Sequence, residues 1–115
     1  MKKVYYEYIA SIHRVVDGDT VDMEVDLGFS THIRERFRLT GIDAPETNTK
    51  EGFAATQALQ AFLPVGKVVK IVTTKDKREK FGRYLAVIFV DGEDINSRMV
   101  VDGFAKPYDG KSSRT

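Results

Sequence analysis

From Thr20 to Leu27 the chain alternates strictly. Val21, Met23, Val25 and Leu27 are apolar, and Asp22, Glu24 and Asp26 fall between them. A period of two predicts an antiparallel strand with one buried face. Upstream, Val4, Tyr6, Tyr8, Ala10 and Ile12 share one parity and predict a strand from about Tyr8 to Val16. Asp17-Gly18 between these runs predicts a tight hairpin, with Gly18 supplying a positive φ. After a turn at Gly28-Phe29-Ser30-Thr31, the third strand covers His32 to Thr40. Its apolar parity is Ile33, Phe37 and Leu39, with Glu35 the exception, and its other face carries Arg34, Arg36 and Arg38. Such a stripe by itself reads as a solvated surface.

Beyond a polar loop the period changes. Phe53, Ala54, Ala58, Leu59, Phe62 and Leu63 recur at helical spacing, and Pro64 ends the pattern. This helix is expected to bury its aromatics. Lys67 to Thr74 and Tyr84 to Val90 read as two more strands, joined by a charged connection over Lys75 to Gly82. Asp94 is a candidate N-cap for a short helix through about Val101, with Gly103 as its stop. The fold class is therefore mainly β with helices. It is a five-stranded OB-fold barrel, with one helix between strands 3 and 4 and a short helix after strand 5.

The bulk properties narrow the chemistry. A chain of 115 residues fits one domain, taken as 1–108, and 109–115 is a polar tail expected to be disordered. With no cysteine, there are no disulfides and no thiolate chemistry. His13 and His32 are the only histidines, so any metal would be held by oxygen, which points to Ca²⁺ or Mg²⁺. No run reaches membrane-spanning length. Glu7 interrupts the N-terminal stretch, so no export signal is expected; a mature secreted form would look the same, which leaves localisation open. The net charge is +1, but it is unevenly spread. Lys67 to Arg83 holds seven basic residues against Asp76 and Glu79, a local +5 that leaves −4 elsewhere. That distribution suits an edge facing a polyanion.

Two acidic pieces carry the candidate chemistry. Phe37-Arg38-Leu39-Thr40-Gly41-Ile42-Asp43-Ala44-Pro45-Glu46-Thr47 ends a strand and delivers a cation and two carboxylates within a few residues. Gly41 permits a bend, and Pro45 stiffens the turn that holds Asp43 and Glu46. Carboxylates this close require a balancing cation, either Arg38 or a metal. The other piece is Asp17-Gly18-Asp19-Thr20-Val21. Downstream, Lys80-Phe81-Gly82-Arg83 places another arginine before an apolar run.

In their order and spacing, these three motifs resemble the staphylococcal nuclease (thermonuclease) family. So does Asp91-Gly92-Glu93-Asp94-Ile95-Asn96 followed by Val100 to Lys106. The resemblance runs from about Ile12 to Tyr108 and implies the same OB-fold. It implies a Ca²⁺-dependent nuclease that hydrolyses DNA and RNA endo- and exonucleolytically, prefers single strands, leaves 3′-phosphates and works as a monomer. Asp19, Asp43 and the backbone carbonyl of Ala44 would hold the metal. Arg38, Glu46 and Arg83 would be catalytic, and Lys80, Phe81 and Tyr108 would bind substrate. Phe81 stands where the family often has Tyr, and Tyr108 aligns only approximately with a family tyrosine. The competing class is a catalytically silent nucleic-acid-binding OB-fold module.

Overall fold

In the computed structural model, which describes residues 5–78 and 83–108, the barrel is built around β1 (Tyr5–Asp17). This strand is long enough to pair along both edges. Its later part runs antiparallel to β2 (Thr20–Asp26), from Ile9 opposite Asp26 to Asp17 opposite Thr20. Its earlier part pairs with β5 (Val68–Arg78), from Tyr5 opposite Thr74 to Ser11 opposite Val68. Register shifts between Ile12 and Arg14 and between Val15 and Asp17 bend β1 so that it serves both neighbours.

β3 (His32–Leu39) pairs with β2, and β6 (Tyr84–Val90) pairs with β5. The barrel closes where β3 and β6 meet in parallel, with Phe37, Arg38 and Leu39 opposite Tyr84, Leu85 and Ala86. Five strands thus form a closed barrel, as the alternation predicts. The helices are α1 (Lys50–Phe62) and α2 (Ile95–Val101). Two-residue strands complete the set: β4 (Ile42–Asp43) pairs with β8 (Lys106–Pro107), and β7 (Glu93–Asp94) pairs with β6.

The core fills the barrel and the space under α1. Met23, Val21, Ile71, Ile88 and Leu39 are fully buried, as are Leu59, Leu63 and Met99 from the helical side. The buried stripe of α1 is Gly52, Ala55 and Leu59. This corrects the expectation that its aromatics lie in the core: Phe53 is 61% exposed, and Phe62 is half-buried under the Arg98 guanidinium, 5.3 Å from its ring centre. The helix starts earlier than its apolar spacing suggests. The Thr49 hydroxyl caps it, accepting the Gly52 N–H at 3.0 Å, so its first turns include Gly52 and Ala55, which pack inward in line with the expected Leu59 and Leu63.

Gly18 also departs from expectation. It is not among the glycines with positive φ. A Cβ there would lie 2.7 Å from the Ala44 methyl and 2.8 Å from the Ala55 methyl. Close packing of three segments therefore requires this glycine, not turn geometry. β5 and β1 both run further than the alternation indicates, because each continues to find a paired partner. Among the described residues, no helix is long and apolar enough to cross a membrane.

Candidate active site

Period two places Arg34, Arg36 and Arg38 on one face of β3, but their surroundings differ. Arg34 and Arg36 lie at the surface and pair with Glu24 and Asp22 across the β2–β3 ladder. The Arg36 guanidinium holds the Asp22 carboxyl below its usual value. Arg38 is only 7% exposed, because at its end of the strand Gly41 (φ 81°) turns the chain back over it. One guanidinium nitrogen lies 2.8 Å from Asp19 Oδ2, and the other lies 3.2 Å from Asp43 Oδ1 and 3.1 Å from the Ile42 carbonyl. The Tyr108 ring covers the guanidinium carbon at 5.5 Å from its centre. The Tyr108 N–H donates to the Gly41 carbonyl, which ties this cover to the acidic turn.

Asp19 is the hub of the site. Its Oδ2 also accepts the Ala44 N–H at 2.9 Å, and its Oδ1 accepts the Thr20 hydroxyl at 3.1 Å. Burial pushes the Asp19 carboxyl up, but the Ala44 N–H and Arg38 outweigh it and hold the group below its ordinary value. Asp17 goes the other way. Burial raises it first, and the neighbouring Asp19 carboxylate adds to the rise. From across the barrel seam, Arg83 donates to the Thr20 hydroxyl at 3.2 Å.

These groups line a polar depression of ≈ 170 Å³, formed by Asp17, Asp19, Arg38, Ala44, Pro45, Glu46, Thr47 and Arg83. Asp43 is buried and pairs with the other terminal nitrogen of Arg38. Glu46 is exposed on the turn, and its carbonyl accepts both the hydroxyl and the N–H of Thr49. A Cβ on Gly52 would lie 1.8 Å from that carbonyl, so the glycine lets α1 begin directly against the acidic turn. The structure thus brings together Asp19, Arg38, Asp43, Ala44, Glu46, Arg83 and Tyr108. Lys80 and Phe81 lie outside the described residues, as does the tail at 109–115.

The model of the staphylococcal nuclease homologue family matches residues 36–115. The chain belongs to the staphylococcal nuclease family. Three relatives agree with that membership. A thermonuclease from Staphylococcus intermedius is 32% identical over 83% of this chain and 56% of its own length. Protein ParB from Escherichia coli is 33% identical over 89% of this chain and 58% of its own. The endonuclease YhcR of Bacillus subtilis (strain 168) is 29% identical over 89% of this chain but only 9% of that protein. The chain therefore spans little more than half, or far less, of these relatives.

Three residues at this nuclease-family site escape a reading of the sequence. Thr20 bridges Asp19 and Arg83, yet a β-branched residue opening a strand looks like any other. Asp17 looks like half of an Asp-Gly turn. Asn96 is buried: its side-chain amide donates to the Thr40 and Ala86 carbonyls at 2.9 and 3.1 Å, and its Oδ1 accepts the Ile88 N–H. It pins β3 and β6 together where they carry Arg38 and Arg83. The only sequence signal is a polar residue two places after the Asp94 cap, on the side of Ile95 and Met99.

Among the described residues, no three acidic or histidine side chains cluster closely enough to cage a cation. The available donors are the Asp19 and Asp43 carboxylates beside the Ala44 backbone, all hard oxygens. Such a set fits a hard cation whose remaining ligands are water and backbone, and it offers nothing to a soft metal.

Proposed function

We propose that the chain is a Ca²⁺-dependent phosphodiester hydrolase acting on DNA and RNA, with single strands preferred and 3′-phosphates left behind, working as a monomer. One observation carries this reading: in a chain of this family, a buried arginine held between two carboxylates shares a polar depression with a second arginine and an exposed glutamate. Asp19, Asp43 and the Ala44 carbonyl would hold the cation, which when bound supplies positive charge to the phosphoryl oxygens.

The protein's own groups do the rest. Glu46 orients the attacking water and takes its proton, as its position on the stiff Pro45 turn allows. Arg83, anchored by one N–H on Thr20, carries a planar guanidinium that suits a phosphate oxygen. Arg38, fixed by Asp19 and Asp43, needs no reorganisation to present charge where it develops in the transition state. Tyr108, over Arg38, lies where a nucleotide could contact it; Lys80 and Phe81 are assigned to substrate by family likeness alone.

The internal pairing of Arg38 also suits a silent nucleic-acid-binding module. Incubation with plasmid and with single-stranded DNA, in Ca²⁺, Mg²⁺ and EDTA, separates the two. Cleavage in Ca²⁺ that EDTA abolishes is the expected result. Binding without cleavage in every condition would leave the silent module.

A further inference from the structure

α1 packs at the end of the barrel where β1 turns into β2, against Gly18 and Ala44. The opposite end is open. There the start of β1, the end of β2, the start of β3, the end of β5 and the start of β6 surround a cavity of ≈ 230 Å³. Tyr6, Tyr8, Phe37 and Tyr84 supply aromatic walls, and Thr73 and Thr74 put hydroxyls on its rim. Leu27 and Ile33 line it from the β2–β3 hairpin, whose tip carries a fully exposed Phe29 held at φ 57°. Phe37 belongs to the core and Tyr8 and Tyr84 are half-buried against it, but burial does not account for the exposed rings of Tyr6 and Phe29.

The position of the cavity suits a base of a nucleic-acid strand. The cavity shares two junctions with the polar depression. Phe37 lines the cavity while the next residue, Arg38, lines the depression; Tyr84 lines the cavity while the preceding Arg83 lines the depression. The two sites therefore lie on either side of the β3–β6 seam, and one strand can touch both. Its size suits a single flat ring system, since a dry cavity of about 150 Å³ already admits benzene, and drug-sized ligands occupy about 300–1,000 Å³. Charge points the same way. β5 continues past Thr74, and its sequence there, Lys75-Asp76-Lys77-Arg78, carries three basic residues against one acidic. A lipid tail or an apolar protein face gains nothing from that excess, whereas a polyanion does.

We infer that the open end of the barrel is a second binding site for an unpaired base of the strand, held by stacking on Tyr6, Tyr8 and Tyr84, with Phe29 offering a further stacking face at the hairpin tip. This inference rests on the nucleic-acid reading above, but it does not require cleavage.

The test is equilibrium binding in EDTA of a short labelled oligothymidylate and of an abasic strand of equal length, using wild type and Tyr6→Ser/Phe29→Asn. Asn suits the left-handed backbone at position 29, and both changes are at exposed rings, so the melting temperature should not move. Wild type should prefer the strand with bases. The variant should lose about 10-fold on oligothymidylate, the scale of one lost stacking contact, and nothing on the abasic strand. Equal loss on both strands, or no loss, overturns the inference. So does a self-association of the wild type that the variant abolishes without changing strand affinity, since the open end would then face a second copy. Cleavage is scored separately: base-dependent binding without cleavage would sink the nuclease reading and leave this site standing.

Discussion

Asp17 and Asp19 lie two residues apart and experience the fold in opposite ways. Asp19 gathers Arg38, the Ala44 N–H and the Thr20 hydroxyl, whereas Asp17 accepts the Asp19 N–H at 3.1 Å beside a neighbour of like charge. The Asp17 carboxyl is raised in the folded state, so its ionisation opposes folding at every pH above the unfolded value of about 3.9. Asp17→Asn keeps the accepting oxygen and removes the charge. The variant should melt higher than wild type at pH 7, and the gap should close as the pH falls through the folded pKa of Asp17 towards that unfolded value. Melts across that range check this; a gap that widens on acidification would contradict it. For Arg38 and Arg83 the outcome concerns rate. Arg38→Lys and Arg83→Lys should each keep the fold and lose on the order of 10²-fold in kcat, because a point charge cannot reproduce a planar fork. Single-turnover kinetics with folded variants decide it, and unchanged turnover would remove that arginine from the mechanism. Asp19, Arg38, Asp43, Glu46 and Arg83 could be singled out in the sequence because each sits in a dense motif, whereas Asp17 passed as a turn residue. Thr20 and Asn96 could not, since their roles depend on partners brought in by barrel closure, and a single polar side chain carries no mark of a distant carbonyl.

At the level of elements, the strands were legible, and the helix face was legible except at its first turn, where Phe53 was misplaced. Alternation reports burial directly in a half-buried strand, but α1 is set by its cap and by Gly52. Leu59, Leu63, Ala58 and Phe62 face the core as the spacing suggested, but Phe53 lies outside because the small Gly52 and Ala55 make the close approach to the acidic turn and Gly18. Gly18 was credited with turn geometry because Asp-Gly is a common hairpin signal, and its real constraint comes from two alanines distant in sequence. The two glycines predict different phenotypes. Gly18→Ala should cost about 1–3 kcal/mol by overpacking against Ala44 and Ala55, seen as a shifted denaturation midpoint with the same slope. Gly52→Ala meets backbone, so the acidic turn must move; kcat should fall even in conditions where the variant is fully folded. If Gly52→Ala lost stability with kcat intact, Glu46 would have no role that depends on its position.

For the whole molecule, the oxygen-only donor set and the buried carboxylates predict that Ca²⁺ raises the melting temperature in proportion to the logarithm of its concentration once above Kd. Asp43→Asn should blunt that rise. A calcium effect of equal size in both proteins would show that binding occurs elsewhere. The barrel itself was readable because its five strands are each locally patterned; the parallel pairing of β3 with β6 was not, as no local signal marks two strands that meet from far apart in the chain. That pairing has a consequence during synthesis. Asp19, Arg38, Asp43 and Glu46 all leave the ribosome before β5 and β6, but the depression lacks its Arg83 wall, and β3 lacks its seam partner, until Tyr84, Leu85 and Ala86 have followed. A nascent chain that stops short of β6 thus carries the acidic half of the candidate site without its second arginine, and the depression is assembled only when the last barrel strand arrives.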